Sequence, residues 1–111
     1  MKAVMIIFNQ ALTERVDYIL SQLRITGYTQ FPLVYGVGSK GGEPRMGTHA
    51  WPEMNSSYLT IVEDDMVDLL LKYVEKLDHV NEENGIRAFV WDISRGVSGD
   101  AGQEDDPAAP R

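Results

Sequence analysis

Two stretches of this sequence carry helical periodicity, and each lies between short apolar runs, an order that constrains the fold more than any other feature. Val16, Ile19, Leu20 and Leu23 fall at i, i+3, i+4 and i+7, which is one buried stripe of an amphipathic helix. Thr13 is the expected N-cap, Glu14 sits in the first turn, and Gly27 is placed to end the helix by taking a positive φ. Val67, Leu70, Leu71, Val74 and Leu77 make a second stripe. Its opening residues, Glu63, Asp64 and Asp65, suit the positive end of a helix dipole.

Around these helices lie four strand-like runs. Ala3 to Phe8 is almost continuously apolar and too short for a helix, as a central strand would be. Thr29 to Val37 is rich in aromatic and β-branched residues, and Pro32 within it argues for an edge strand or a bend. Ser57 to Val62 alternates, with Tyr58, Thr60 and Val62 opposite Leu59 and Ile61. Ile86 to Ile93 alternates again and is the last strand. Two strand–helix–strand units in series predict an α+β domain, the ferredoxin-like βαββαβ sandwich, with a four-stranded antiparallel sheet and both helices on one face. That domain takes residues 1–95, and residues 96–111, filled with Gly, Ser, Ala, Pro and acids, read as a flexible acidic tail.

Charge and composition narrow the function classes. Ten Lys and Arg against 17 Asp and Glu give a net charge of −7, a field that repels a phosphate backbone, so nucleic acid is not an expected partner. There is no cysteine, which removes disulfides, thiolate zinc sites and cysteine nucleophiles together. No run approaches the ~20 apolar residues that cross a bilayer, and the N-terminal apolar run is too short for a signal peptide. The expected location is the cytoplasm. An enzyme is not expected: the acids have local explanations at helix starts and turns, and no Ser–His–acid set is suggested by spacing.

The connection at 38–56 stands apart. It is longer than the ~12 to 15 residues usual for a structureless loop, yet it carries Lys40, Arg45, His49 and Trp51. Arg and Trp are common anchors of protein interfaces, so these four are the expected partner-binding residues. An alternative is a soft-metal accessory module using His49, Met46 and Met54, since imidazole and thioethers suit ions such as Cu(I). The glycine-rich start, Gly36-Val37-Gly38-Ser39-Lys40-Gly41-Gly42, lacks the Gly-Lys-Ser/Thr order of a P-loop and is better read as a hinge.

The segment Gly38 to Pro52, with Ile61 to Asp68 and Ala88 to Arg95, resembles the PII-like signalling proteins, in an uncharacterised bacterial branch. The resemblance runs from Met1 to about Arg95. It implies a homotrimer with ligand clefts between subunits, an adenine nucleotide or other small effector in those clefts, and a loop that touches a protein target such as a membrane transporter. By position it implies that Thr29 lies at the base-binding end of the cleft. Gly36, Val37 and Gly38 would form the root of the loop, and Arg87 would stand where the family contacts phosphate. Asn81-Glu82-Glu83-Asn84-Gly85 replaces the family's glycine-rich phosphate turn. Its two acids repel a polyphosphate, so a smaller or less charged ligand is the expectation.

Overall fold

The computed structural model describes residues 1–37, 46, 54–80 and 85–97. The elements run β1 (Lys2–Asn9), α1 (Thr13–Gln22), β2 (Tyr28–Val34), β3 (Asn55–Val62), α2 (Asp64–Val80) and β4 (Ile86–Asp92). The strands form one antiparallel sheet in the order β2-β3-β1-β4, the expected βαββαβ architecture.

Alternation sorts the sheet into two faces. Val4, Ile6 and Phe8 of β1, Tyr58 and Val62 of β3, and Ile86 of β4 join one core cluster with Val16, Ile19 and Leu20 of α1 and Leu70, Val74 and Leu77 of α2. Both helical stripes read from the sequence are therefore the faces that pack, save Leu71, which stands outside the core cluster. Tyr58 anchors this layer. Its ring meets Phe8 and stands edge-on to Tyr28 at 5.0 Å between centroids, while its hydroxyl donates to Asp17 on α1.

Several local expectations are corrected. Thr13 is the first residue of α1, not its cap. The N-cap position falls to Leu12, which offers no side-chain acceptor, because a 3-10 turn at Gln10–Leu12 already leads the chain in. Asn9 caps that turn by accepting from the Ala11 N–H at 2.9 Å. Nor does Gly27 end α1. The helix stops five residues earlier in a Schellman-type closure: the Ile25 N–H donates to the Leu20 carbonyl at 2.9 Å and the Arg24 N–H to that of Ser21. Arg24 itself takes the left-handed conformation, φ 59°. Burial of Leu20, Leu23 and Ile25 in the core fixes the exit there, which overrides the preference for glycine.

β2 is an edge strand, in keeping with Pro32, and its register to β3 shifts between Phe31 and Val34 around that proline. It ends at Val34 rather than Val37, and β3 begins at Asn55 rather than Ser57. The long connection is therefore displaced toward the N-terminus relative to the expected 38–56. β4 ends at Asp92, one residue early. Near the start of α2, Lys2 pairs with Asp92, and the Met1 amino group lies 2.9 Å from Asp64. The amino group's hydrogen bond, aided by Lys2, holds the Asp64 carboxyl below its ordinary range.

Candidate functional site

The sheet face away from the helices is the second consequence of alternation. Pairing gives its rows directly. Trp91, Ala3 and Ile61 lie side by side, then Phe89, Met5, Leu59 and Thr29, then Arg87, Ile7, Ser57 and Phe31, then Asn9 and Asn55. Trp91, Phe89, Ile61 and Phe31 are each between 43% and 54% exposed. One side of the sheet is thus an apolar surface that nothing in the chain's helical layer covers, and Trp91 belongs to it.

At one end of the sheet the strand ends are stitched together. The Gln10 N–H donates to the Met54 carbonyl at 3.0 Å, and the Asn9 N–H donates to the Gly85 carbonyl at 3.2 Å. The Asp78 carboxylate accepts from the Ile86 N–H at 3.3 Å, tying the last turns of α2 to the start of β4. Gly85 precedes β4 with φ 68°, a conformation that glycine adopts without strain. Gly36, just past β2, lies so close to Asn55 that a Cβ there would collide with the Asn55 carboxamide. Ends of all four strands therefore meet at the root of the long connection.

Of the predicted residues, Gly36, Val37 and Arg87 lie toward this end, and Thr29 lies at the far end of β2. Gly36 and Val37 stand at the root, with Val37 exposed. Arg87 is exposed on β4, opposite Ile7. Thr29 is exposed on β2, opposite Leu59. The strand start beside it is pinned by the Thr60 hydroxyl, which donates to the Gly27 carbonyl at 2.6 Å. Thr29 and Arg87 are not brought together within one chain. They occupy the two opposite edge strands, three strand spacings or about 14 Å apart across the sheet and offset by one row along it.

Gly38, Lys40, Arg45, His49 and Trp51 lie outside the described residues. Met46 and Met54 are both half-buried. Among the described residues no three His, Cys, Asp or Glu side chains gather as a metal site, and no helix is long and apolar enough to cross a membrane.

Sequence reasoning missed Asn9, Asn55 and Ser57. Asn9 and Asn55 face each other in register, and all three are buried on the face that carries Trp91, Phe89 and Ile61. Among the described residues, the Ser57 hydroxyl is the buried side-chain polar atom with no hydrogen-bond partner. The signal was present as the polar pair Asn55-Ser56 immediately before the alternating strand that opens at Ser57, where polar composition reads as loop.

A four-stranded antiparallel sheet with two helices on one face, a long connection after β2 and strand ends gathered at its root defines a ferredoxin-like α+β domain with an extended connection. The family model for nitrogen regulatory protein P-II matches residues 1–98, and the chain belongs to that family. Comparison with curated proteins gives no match. Among solved structures, the chain is similar to CPII, a nitrogen regulatory PII-like protein from Thiomonas intermedia K12. In its structure bound to ADP and bicarbonate the two are 25% identical, over 83% of this chain and 84% of that one, with a TM-score of 0.66. A second CPII structure, bound to ADP, AMP and bicarbonate, is 26% identical over 86% and 93% of the two chains, with a TM-score of 0.61. A PII-like signalling protein from Thermus thermophilus shares the fold at 23% identity, over 81% and 83%, with a TM-score of 0.59.

Proposed function

We propose that this chain is a cytoplasmic PII-like regulator, assembled as a homotrimer, that binds an adenine nucleotide with a small oxoanion in clefts between subunits. The observation that carries the reading is the separation of Thr29 and Arg87 on opposite edges of one sheet. Residues so placed share a ligand only if the β2 edge of one copy meets the β4 edge of the next. The uncovered apolar face bearing Phe89, Trp91 and Ile61 supplies the surface on which copies would associate. CPII, the relative bound to ADP and bicarbonate, supports the choice of ligands. The family is regulatory, and no catalytic role is assigned to any residue.

Occupancy of the cleft would be reported to a protein target, such as a membrane transporter, through Lys40, Arg45, His49 and Trp51. Gly36 and Val37, next in sequence to Gly38, would sit between the cleft and that connection. A loop that changes order with ligand binding is an established kind of switch. The soft-metal alternative has no observation in its favour.

Light scattering on a sizing column, with calorimetric titration of ADP and AMP, tests the proposal. The expected result is a species of three chains that binds ADP. A monomer at micromolar concentration that gives no heat with either nucleotide overturns the proposal. The target arm is tested by Trp51→Ala, which is expected to abolish capture of the partner while leaving the melting curve unchanged.

A further inference from the structure

We propose that a cationic stripe on the outward face of α2, Lys72, Lys76 and His79, is a docking site for an acidic peptide, and that its occupant is the chain's own C-terminal segment, through Glu104, Asp105 and Asp106. The inference is independent of the ligand reading above, since it concerns the helix side of the domain and not the open sheet face.

Charge is distributed unevenly along α2. Its entry carries Glu63, Asp64, Asp65 and Asp68, whereas Lys72, Lys76 and His79 follow at i, i+4 and i+7. At 3.6 residues per turn these three lie opposite the buried Leu70, Val74 and Leu77, and all three are exposed. With Glu75, Asp78 and Val80 they line a groove of about 730 Å³. The Asp78 carboxylate is engaged by the Ile86 N–H, so within the groove the two lysines stand chiefly against Glu75. Among the described residues neither Lys72 nor Lys76 is in an ion pair. Lys76 lies over the Tyr73 ring, 5.7 Å from its centroid.

Reach and charge select the occupant. Val97 lies five residues past Asp92, and Lys2 ties Asp92 to the Asp64 end of α2. The residues beyond Val97 include Asp100, then Glu104, Asp105 and Asp106, then Pro107-Ala108-Ala109-Pro110. From Asp64 to the stripe is about 12 to 22 Å along the helix axis. Glu104, seven residues beyond Val97, is reached by a span of up to about 23 Å, so the acid triplet can lie against Lys72 and Lys76. The acids at the entry of α2 repel that triplet, and the lysines attract it. Each exposed pair contributes little, but a tethered segment acts at a millimolar effective concentration, which populates a weak contact. Val80, 74% exposed, offers apolar surface to the Pro107-Ala108 that follows. The association of copies proposed above uses the sheet face and the strand edges, and it leaves this helix face open. A strap so placed is autoinhibitory toward any other acidic peptide that seeks the groove.

The chain has no cysteine, so Gln103→Cys accepts a single nitroxide label beside the triplet in the full chain. Amide spectra are expected to show paramagnetic broadening about twofold stronger at Lys72–Val80 than at Asp64–Asp68, although the tail leaves the body near Asp64. Lys72→Gln with Lys76→Gln is expected to abolish that preference. So is Glu104→Gln with Asp105→Asn and Asp106→Asn, which leaves the folded body untouched and decides the matter should the lysine pair alter folding. Salt at about 1 M, where the screening length is about 3 Å, is expected to abolish it too. Broadening strongest at Asp64–Asp68, or a preference for Lys72–Val80 that survives the lysine or tail changes, overturns the proposal. Mixing an isotope-labelled chain without the nitroxide with an unlabelled chain that carries it is expected to give no broadening at Lys72–Val80. Broadening there assigns the tail to a neighbouring copy and overturns the intrachain strap. All these outcomes are read without nucleotide, so the proposed function stands or falls separately.

Discussion

The Tyr58 hydroxyl of β3 donates to the Asp17 carboxylate of α1, joining sheet to helix across 41 positions of sequence. Tyr58 is only 2% exposed. Burial, reinforced by the Asp17 carboxylate, raises its pKa well above the ordinary tyrosine value.

Tyr58→Phe is expected to lower stability by about 1.5 to 3 kcal/mol, the range for one hydrogen bond to a charged acceptor. The sign of the pH effect follows from the raised pKa. The native state keeps the proton that the unfolded chain releases near pH 10, so this contribution is complete below about pH 10 and is lost as pH climbs toward the folded value. Urea unfolding between pH 8 and 11 should show wild type losing stability more steeply than Tyr58→Phe at the alkaline end. Parallel curves would remove Tyr58 as the source.

Gly36→Ala places a methyl group against the Asn55 carboxamide. The expected cost is about 1 to 3 kcal/mol, as for overpacking elsewhere. Asn55→Ala should relieve it, so the double variant is predicted to be more stable than the sum of the single changes. Additive losses in chemical denaturation would mean that the two residues do not meet.

Arg24→Gly should stabilise the protein. A side chain in the left-handed region costs about 1 to 2 kcal/mol, part of which glycine returns through its greater freedom in the unfolded chain. A net gain of about 0.5 to 1 kcal/mol at the urea midpoint is expected. The exposed side chain of Arg24 makes a compensating loss of packing small, and a destabilised variant would contradict the reading of this turn.

Trp91→Glu puts a charge on the uncovered face, where Trp91 is 47% exposed. In a single chain such a surface change alters stability by about 0.5 kcal/mol or less. In a trimer built on that face it should dissociate the assembly. Sedimentation of the variant is expected to give one-chain particles with unchanged far-ultraviolet circular dichroism. An intact trimer would place the interface elsewhere.

Much of the fold was legible without coordinates because it depends on local period. The spacing of Val16, Ile19, Leu20 and Leu23, and of Leu70, Val74 and Leu77, marks helix faces that the core then uses. Tyr58, Thr60 and Val62 mark a strand face in the same way, and Pro32 marks an edge because it lacks a backbone donor. The cap expected at Thr13 and the stop expected at Gly27 give way for one reason. Both rest on local propensity, and each was overridden by where Leu12, Leu23 and Ile25 had to be buried.

Sequence by itself determined the element order, the two helix faces and the absence of cysteine chemistry, since these follow from residue types and their spacing along one chain. Tertiary structure alone decided that Asn9 meets Asn55, that Ser57 is buried, and that Thr29 and Arg87 stand at opposite edges. Strand register is a choice among pairings of distant segments, made by the whole core at once. No local pattern encodes it, so the residues gathered at the sheet's end become neighbours only when the chain folds.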